Sequence, residues 1–219
     1  MIAVIQCAGT KQPDAGRLVR KDDRPVKFVA DPKAAPANDD LVYARPDDMS
    51  DRGMTWRQVL LEYNKSPGDN PLKLVPAWQL YRNDVYARLA HELGVGNVYI
   101  LSAGWGLIAG SFFTPDYDIT FSNMKKPNKY KQRRKKDRYH DLNMLPDDTR
   151  EPVVFFGGKN YLPLFEKLTK SIKGQRTVFY NSQDVPEMPG CTLRLFETDA
   201  NTNWHHLCAN AFLDQKIRL

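Results

Sequence analysis

Four short apolar runs, each stopped by small or polar turn residues, constrain this chain more than anything else in it. They are Ile2 to Gln6, Asn97 to Leu101, Val153 to Phe156 and Thr177 to Tyr180, with Leu193 to Phe196 as a candidate fifth. Runs of this length, apolar on both sides of the alternation, suit strands buried on both faces. Between them the spacing turns helical. Thr55 can cap a helix in which Trp56, Val59, Leu60 and Tyr63 share a face, and SPGDNP ends it. A second helix is expected from Ala77 to Leu93, with Trp78, Tyr81, Val85 and Leu89 inward and Gly94 as its C-cap. A third is expected from Tyr161 to Lys170, and a last one, capped by Thr202 or Asn203, that buries Trp204, Leu207 and Phe212. Buried strands alternating with amphipathic helices form βαβ units. The expected fold class is α/β: a single domain over 1–219 with a mostly parallel central sheet flanked by helices, plus a basic insertion. Residues 12–53, rich in Pro, Asp, Lys and Ala, read as an irregular excursion ordered in part at most, with Leu41 to Ala44 as a short edge strand.

Composition narrows the classes. At 219 residues and 42% hydrophobic, with a mean hydropathy of -0.56, the chain can bury one core and carries no run of bilayer length. The opening MIAVIQC enters an apolar run with no basic leader, and three widely spaced cysteines suit reduced thiols, so a cytoplasmic protein is expected. No membrane and no obligate protein partner is signalled. The net charge of +6 is unevenly placed: residues 125–138 hold nine Lys/Arg and one acid, a local +8, which leaves -2 for the other 205 residues. A charge run is usually solvated surface. This one is internal, carries Tyr130 and is followed by Tyr139, and adjoins the loop described next, which suits nucleic acid as partner. Lys125, Lys126, Lys129, Lys131, Arg133, Arg134, Lys135, Lys136 and Arg138 are the candidate DNA contacts, foremost Lys131, Arg133, Arg134 and Lys135.

Ligands of open parallel sheets bind at the carboxyl ends of the strands. That rule selects Cys7, Thr10 and Lys11 after the first run, Ser102 to Asp118 after the second, Gly157 to Asn160 after the third and Asn181 to Gln183 after the fourth. The second group, read as a loop, mixes Trp105, Phe112, Phe113 and Tyr117 with Asp116 and Asp118, and is expected to wall a pocket. Asp116 and Asp118 alternate, so only one should face it. Asp118, flanked by Ile119, is the favoured carboxylate for activating water or stabilising a cationic sugar, the common need of N-glycoside cleavage. The plain alternative is that both serve loop turns or pair with lysines. Asn181 can hold the sugar or the base edge, or simply form a turn. Ser102, Gly104, Trp105, Tyr117, Gly157 and Gly158 join Cys7, Thr10 and Lys11 as candidate substrate contacts.

Other motifs are weaker. Gly157-Gly158-Lys159 before a helix offers backbone N–H groups to an anion but is not a Walker A sequence, and a plain tight turn is the simpler reading. His205 and Cys208 lie one helical turn apart without a partner pair elsewhere, so no metal is expected, and no cofactor is implied. Cys7 has no nameable base and reads as a buried thiol.

The strand ends together resemble a known family. Cys7-x-x-Thr10-Lys11, then Leu101-Ser102-Ala103-x-x-Gly106-Leu107, then Pro115-x-Tyr117-Asp118-x-Thr120 look like the YaaA-like superfamily, in particular its small bacterial and phage-associated branch. The likeness omits residues 12–53 and the basic segment, and Trp105 with Phe112-Phe113 departs from the broader pattern. The resemblance implies an α/β fold and association with DNA, including DNA protection under stress and base-modification systems. A type of antiviral DNA glycosylase that excises hypermodified cytosines from phage DNA looks similar in size and layout. On that resemblance the chain is expected to flip out and excise a modified base, best matched by glucosylated hydroxymethylcytosine, leaving an abasic site. The alternatives are a DNA-binding protection protein without chemistry, or a transferase that decorates a base.

Overall fold

The computed structural model describes residues 1–200 and 202–219. Its strands in chain order are β1 (Ile2–Gln6), β2 (Val26–Val29), β3 (Val42–Ala44), β4 (Val75–Pro76), β5 (Val98–Ser102), β6 (Gly106–Ala109), β7 (Phe113–Thr114), β8 (Tyr117–Asp118), β9 (Leu142–Asn143), β10 (Val153–Phe156), β11 (Arg176–Tyr180) and β12 (Cys191–Leu195). The helices are α1 (Trp56–Lys65), α2 (Val85–Leu93), α3 (Leu162–Thr169) and α4 (Trp204–Leu213). None is long and apolar enough to cross a membrane. The protein is mixed α/β, with a seven-stranded sheet in the order β12, β11, β10, β1, β5, β6, β9. Every neighbouring pair is parallel except β5 and β6.

The apolar runs form the strands for the reason their composition implies: β5 and β10 are buried along their whole length. Successive side chains then serve opposite layers. Phe155 stacks on Phe165 of α3, ring centroids 4.5 Å apart, while Phe156 packs on Phe212 of α4 at 5.5 Å. Helices therefore cover both faces. The chain leaves β1 for β5 on one side and returns to β10 on the other, so the gap between the ends of β1 and β10 is the switch point of the sheet, where a ligand crevice is expected. Gly158 N–H, just past β10, donates to the Gln6 side chain at 2.7 Å and ties these two ends together.

Four expectations need correction. The stretch after Ser102 is not a free loop: β6 turns back as an antiparallel hairpin on β5, and Gly106 (φ 96) is required where a Cβ would run into the Leu142 backbone. Residues 12–53 are structured beyond the edge strand, because β2 pairs in parallel with both β3 and β8. Pairing with strands distant in sequence orders a segment whose own pattern is weak. The second helix starts at Val85, not Ala77: Ala77–Gln79 forms a separate 3₁₀ turn, and the Asn83 side chain accepts the Val85 N–H at 3.0 Å to start α2. In α4, Leu207 is 48% exposed while His205, His206, Cys208 and Ala209 are buried. That helix is apolar nearly all round, so its sequence period does not say which side faces in.

Candidate active site

A cleft opens at the carboxyl edge of the sheet, over the ends of β1 and β10. It has two lobes that share Gln6, Ser122, Tyr161, Asn203 and His205. The smaller, about 310 Å³, is walled by Cys7, Lys11, Asp118 and Lys131. The larger, about 470 Å³, lies between the Gly157 to Tyr161 turn, Asn181 and Trp204.

Asp118 reaches this cleft because β8 pairs with β2, setting Val29 opposite it. Its side chain is 25% exposed, and Oδ2 takes the Lys131 Nζ at 3.1 Å and the Lys27 Nζ at 3.5 Å. Asp116 lies outside the cleft and accepts from Lys27 at 2.6 Å and Arg17 at 3.0 Å. Burial would raise the Asp116 pKa, but the Lys27 hydrogen bond and charge, then Arg17, outweigh it, and the net shift is downward. Asp116 is thus a locked structural carboxylate, and its candidate catalytic role is withdrawn. Lys27 and Arg17, which do this work, lie in the excursion that carried no chemical pattern.

Beneath the cleft a hydroxyl network replaces the expected aromatic wall. Ser102 Oγ donates to Tyr117 OH at 2.8 Å, Tyr117 OH meets Tyr81 OH at 2.9 Å, and Cys7 Sγ meets Tyr161 OH at 3.3 Å. Burial, reinforced by Cys7, pushes the phenols of Tyr81, Tyr117 and Tyr161 well above their ordinary pKa, so they stay neutral. Trp105 and Tyr117 are completely buried and offer no face to a ligand. Trp105 packs edge-on to Phe28, and its turn is clamped by Arg57, which donates to the carbonyls of Gly104 and Trp105 at 3.0 Å each. Ser102, Gly104, Trp105 and Tyr117 therefore support the cleft rather than line it. Ser102 ends β5, Gly104 and Trp105 form the turn into β6, and Tyr117 is held on β8 against β2.

The remaining candidates divide. Thr10 is exposed and lies outside the cleft. Gly157 and Gly158 line the larger lobe, but the Gly158 N–H is already spent on Gln6, which removes one donor from the anion reading. Asn181 lines the same lobe, yet its amide donates to the carbonyls of Phe196 and Thr198 at 3.2 Å each, whereas Asp118 lines the smaller lobe. It tethers the chain after β12, and its catalytic role is withdrawn. Lys11 sits beside Asp118 with its amine over the Tyr117 ring, 4.3 Å from the centroid.

His205 was missed as a cleft residue. It lines both lobes, and its ring lies 4.1 Å from that of His206. Burial lowers the two imidazoles to about 3 and about 4, His205 further because His206 lies against it. Both are neutral near pH 7. Among the described residues no three His, Cys, Asp or Glu side chains converge as a metal cage.

The basic segment is only partly free. Lys125, Lys126, Lys129, Arg134, Lys135, Lys136 and Arg138 are exposed, while Lys131 is half-buried on Asp118. Arg133 is 6% exposed and makes a two-pronged bond to Asp141, whose side chain is fully buried (2.7 and 2.9 Å), a bond to the Ala103 carbonyl at 2.8 Å and a stack on Tyr139 at 3.9 Å. It braces the fold and is removed from the DNA contacts. Arg134, Lys135, Lys136 and Arg138 line a groove of about 580 Å³ against α3, where Lys167 adds a further cation. Phe121 lies in that groove and packs edge-on to Tyr161 of the cleft at 5.1 Å, so groove and cleft adjoin.

Fold and site together define an α/β protein with a polar cleft at the switch point of its sheet and a cationic groove beside it. No family model, curated protein or solved structure matches the chain, so the chemistry rests on these residues.

Proposed function

We propose that this protein is a DNA N-glycosylase that takes a flipped, modified base into the cleft and breaks its bond to the sugar. One observation carries the reading: Asp118, held by Lys27 and Lys131, stands on the wall of a two-lobed cleft that adjoins a groove lined by exposed cations. The groove suits the phosphate backbone, and the cleft is roomy enough for an extruded nucleotide. As the bond to the base stretches, positive charge builds on the sugar, and a fixed carboxylate stabilises it without reorganising. The neutral tyrosine network holds the floor beneath. The second lobe leaves space for a bulky substituent, which favours a glucosylated hydroxymethylcytosine of phage DNA, and the resemblance to the YaaA-like superfamily points the same way. Such an enzyme would act in the cytoplasm as an antiviral defence. The test is to incubate the protein, without added metal, with ordinary DNA and with glucosylated hydroxymethylcytosine DNA and to assay released bases and abasic sites. Release from the modified DNA is expected; binding to both without release from either overturns the enzyme reading.

That outcome would favour a second reading, a DNA-binding protein without chemistry. The two ion pairs of Asp118 are the observation on its side, since a carboxylate so paired can serve structure alone. Both readings expect the groove to grip DNA. Replacing Arg134, Lys135, Lys136 and Arg138 by Gln should weaken binding across all sequences. Each lost phosphate contact should flatten the log–log salt slope by about 0.9 on duplex DNA. A slope unchanged in a titration from low to moderate salt would move the DNA path elsewhere.

A further inference from the structure

Among the described residues, Lys11 is the one cation of the smaller lobe whose charge has no carboxylate. Lys131 pairs with Asp118 at 3.1 Å, and nearby Lys27 and Arg17 pair with Asp116 at 2.6 and 3.0 Å. Lys11 makes no ion pair among the described residues. Its Nζ has a long hydrogen bond to the Ala8 carbonyl at 3.4 Å and otherwise rests on the faces of Tyr117 and Tyr81, 4.3 and 6.0 Å from their centroids. Its place is fixed by the backbone. Lys11 bridges to Tyr81, and Gln12 N–H donates to the Leu80 carbonyl at 2.8 Å, so the residue is pinned to the segment ahead of α2 with its side chain on the cleft wall.

An amine so placed is costly to keep charged. Burial lowers its pKa, aided by Lys27, and this outweighs the opposite pull of Cys7, Asp118 and Asp116. Lysines made nucleophilic in proteins are desolvated in this way, and a lysine meant only to grip phosphate would face the groove.

We propose that Lys11 is the nucleophile of this cleft, attacking the anomeric carbon of the sugar and holding it as an imine, an inference that rests on the glycosylase reading of the same site. The Lys11 nitrogen bonds to C1′ as the bond from C1′ to the base breaks. The base leaves with the bonding pair and takes up the proton that the amine sheds. The C1′–O4′ bond then opens, O4′ is protonated as nitrogen loses its second proton, and Nζ and C1′ share a double bond. Water hydrolyses the imine, freeing the amine and leaving an aldehyde. Nothing is oxidised or reduced. Asp118 stabilises the cationic sugar and imine carbon from the same wall.

The test needs no knowledge of the base recognised. An oligonucleotide with one abasic site presents the aldehyde directly, and cyanoborohydride reduces the imine to a stable secondary amine. Incubating the full chain with this probe and reductant should give a covalent protein–DNA adduct that peptide mapping places on Lys11. Lys11→Arg, which keeps the charge, and Lys11→Met, which keeps the apolar stem, should both lose that adduct while retaining affinity for the intact oligonucleotide. Should either variant fail to fold, the mapped position in the wild type still decides. An adduct confined to the exposed basic segment, or none, overturns the inference. Base release from modified DNA is assayed in parallel: release with a free aldehyde and no Lys11 adduct rejects the nucleophile and keeps the glycosylase, whereas no release rejects the glycosylase whatever happens at Lys11.

Discussion

Asp118→Asn should lower base release from modified DNA by about 10²–10³-fold, the usual cost of removing one preorganised electrostatic group from a transition state. The amide has nearly the shape of the carboxylate and can still accept from Lys131, so the cleft should keep its form. What disappears is the negative charge beside the sugar. DNA binding should be unchanged or slightly tighter, because Lys131 and Lys27 lose an anion that now competes with phosphate. Single-turnover release and equilibrium binding at one fixed salt concentration separate the two effects. Loss of release with retained binding assigns the charge to chemistry. Equal release by wild type and variant would assign Asp118 to neutralising its two lysines, as in the binding-protein reading.

Arg133→Met should destabilise the protein by about 3–5 kcal/mol, the range for breaking a buried ion pair by removing one partner. The cost is not the loss of an attraction alone. Asp141, whose side chain has no exposure, would be left with only Lys167, at 3.2 Å and itself 59% exposed, as its partner, and the Ala103 carbonyl would lose its donor. Lys167 should hold the effect toward the lower end. At roughly 2–4 °C per kcal/mol for a chain of this size, thermal unfolding should shift down by about 6–20 °C. Arg133→Met with Asp141→Leu should recover much of this, since an apolar pair of similar volume spares the desolvation. The salt slope of DNA binding should stay at the wild-type value, in contrast to the groove substitutions. A flattened slope without loss of stability would return Arg133 to the DNA surface.

Arg133 also shows where a sequence stops speaking. In the basic run it differs in no visible way from Arg134, yet one is buried on Asp141 and the other is exposed in the groove. The same holds for Trp105, an aromatic beside two glycines that reads as a pocket wall and proves to be core once β6 folds back on β5. Asp116 and Asp118 alternate in the chain, which separates their directions. The partners of Asp116, Lys27 and Arg17, come from the excursion about 90 to 100 residues earlier, and no local pattern announces them.

What the sequence determined by itself is the frame: the buried runs, the Thr55 cap of α1, the Gly94 that ends α2 and the edge where the strand ends gather. These follow from local period, caps and burial, which a short window contains. Only the tertiary structure decided which chemistry-bearing side chains face the cleft. It set Lys11 over a tyrosine ring, paired Asp118, spent Asn181 on two carbonyls and brought His205 to the cleft. The physical reason is that charge and hydrogen-bond state depend on partners far away in the chain, whereas strand and helix depend on neighbours.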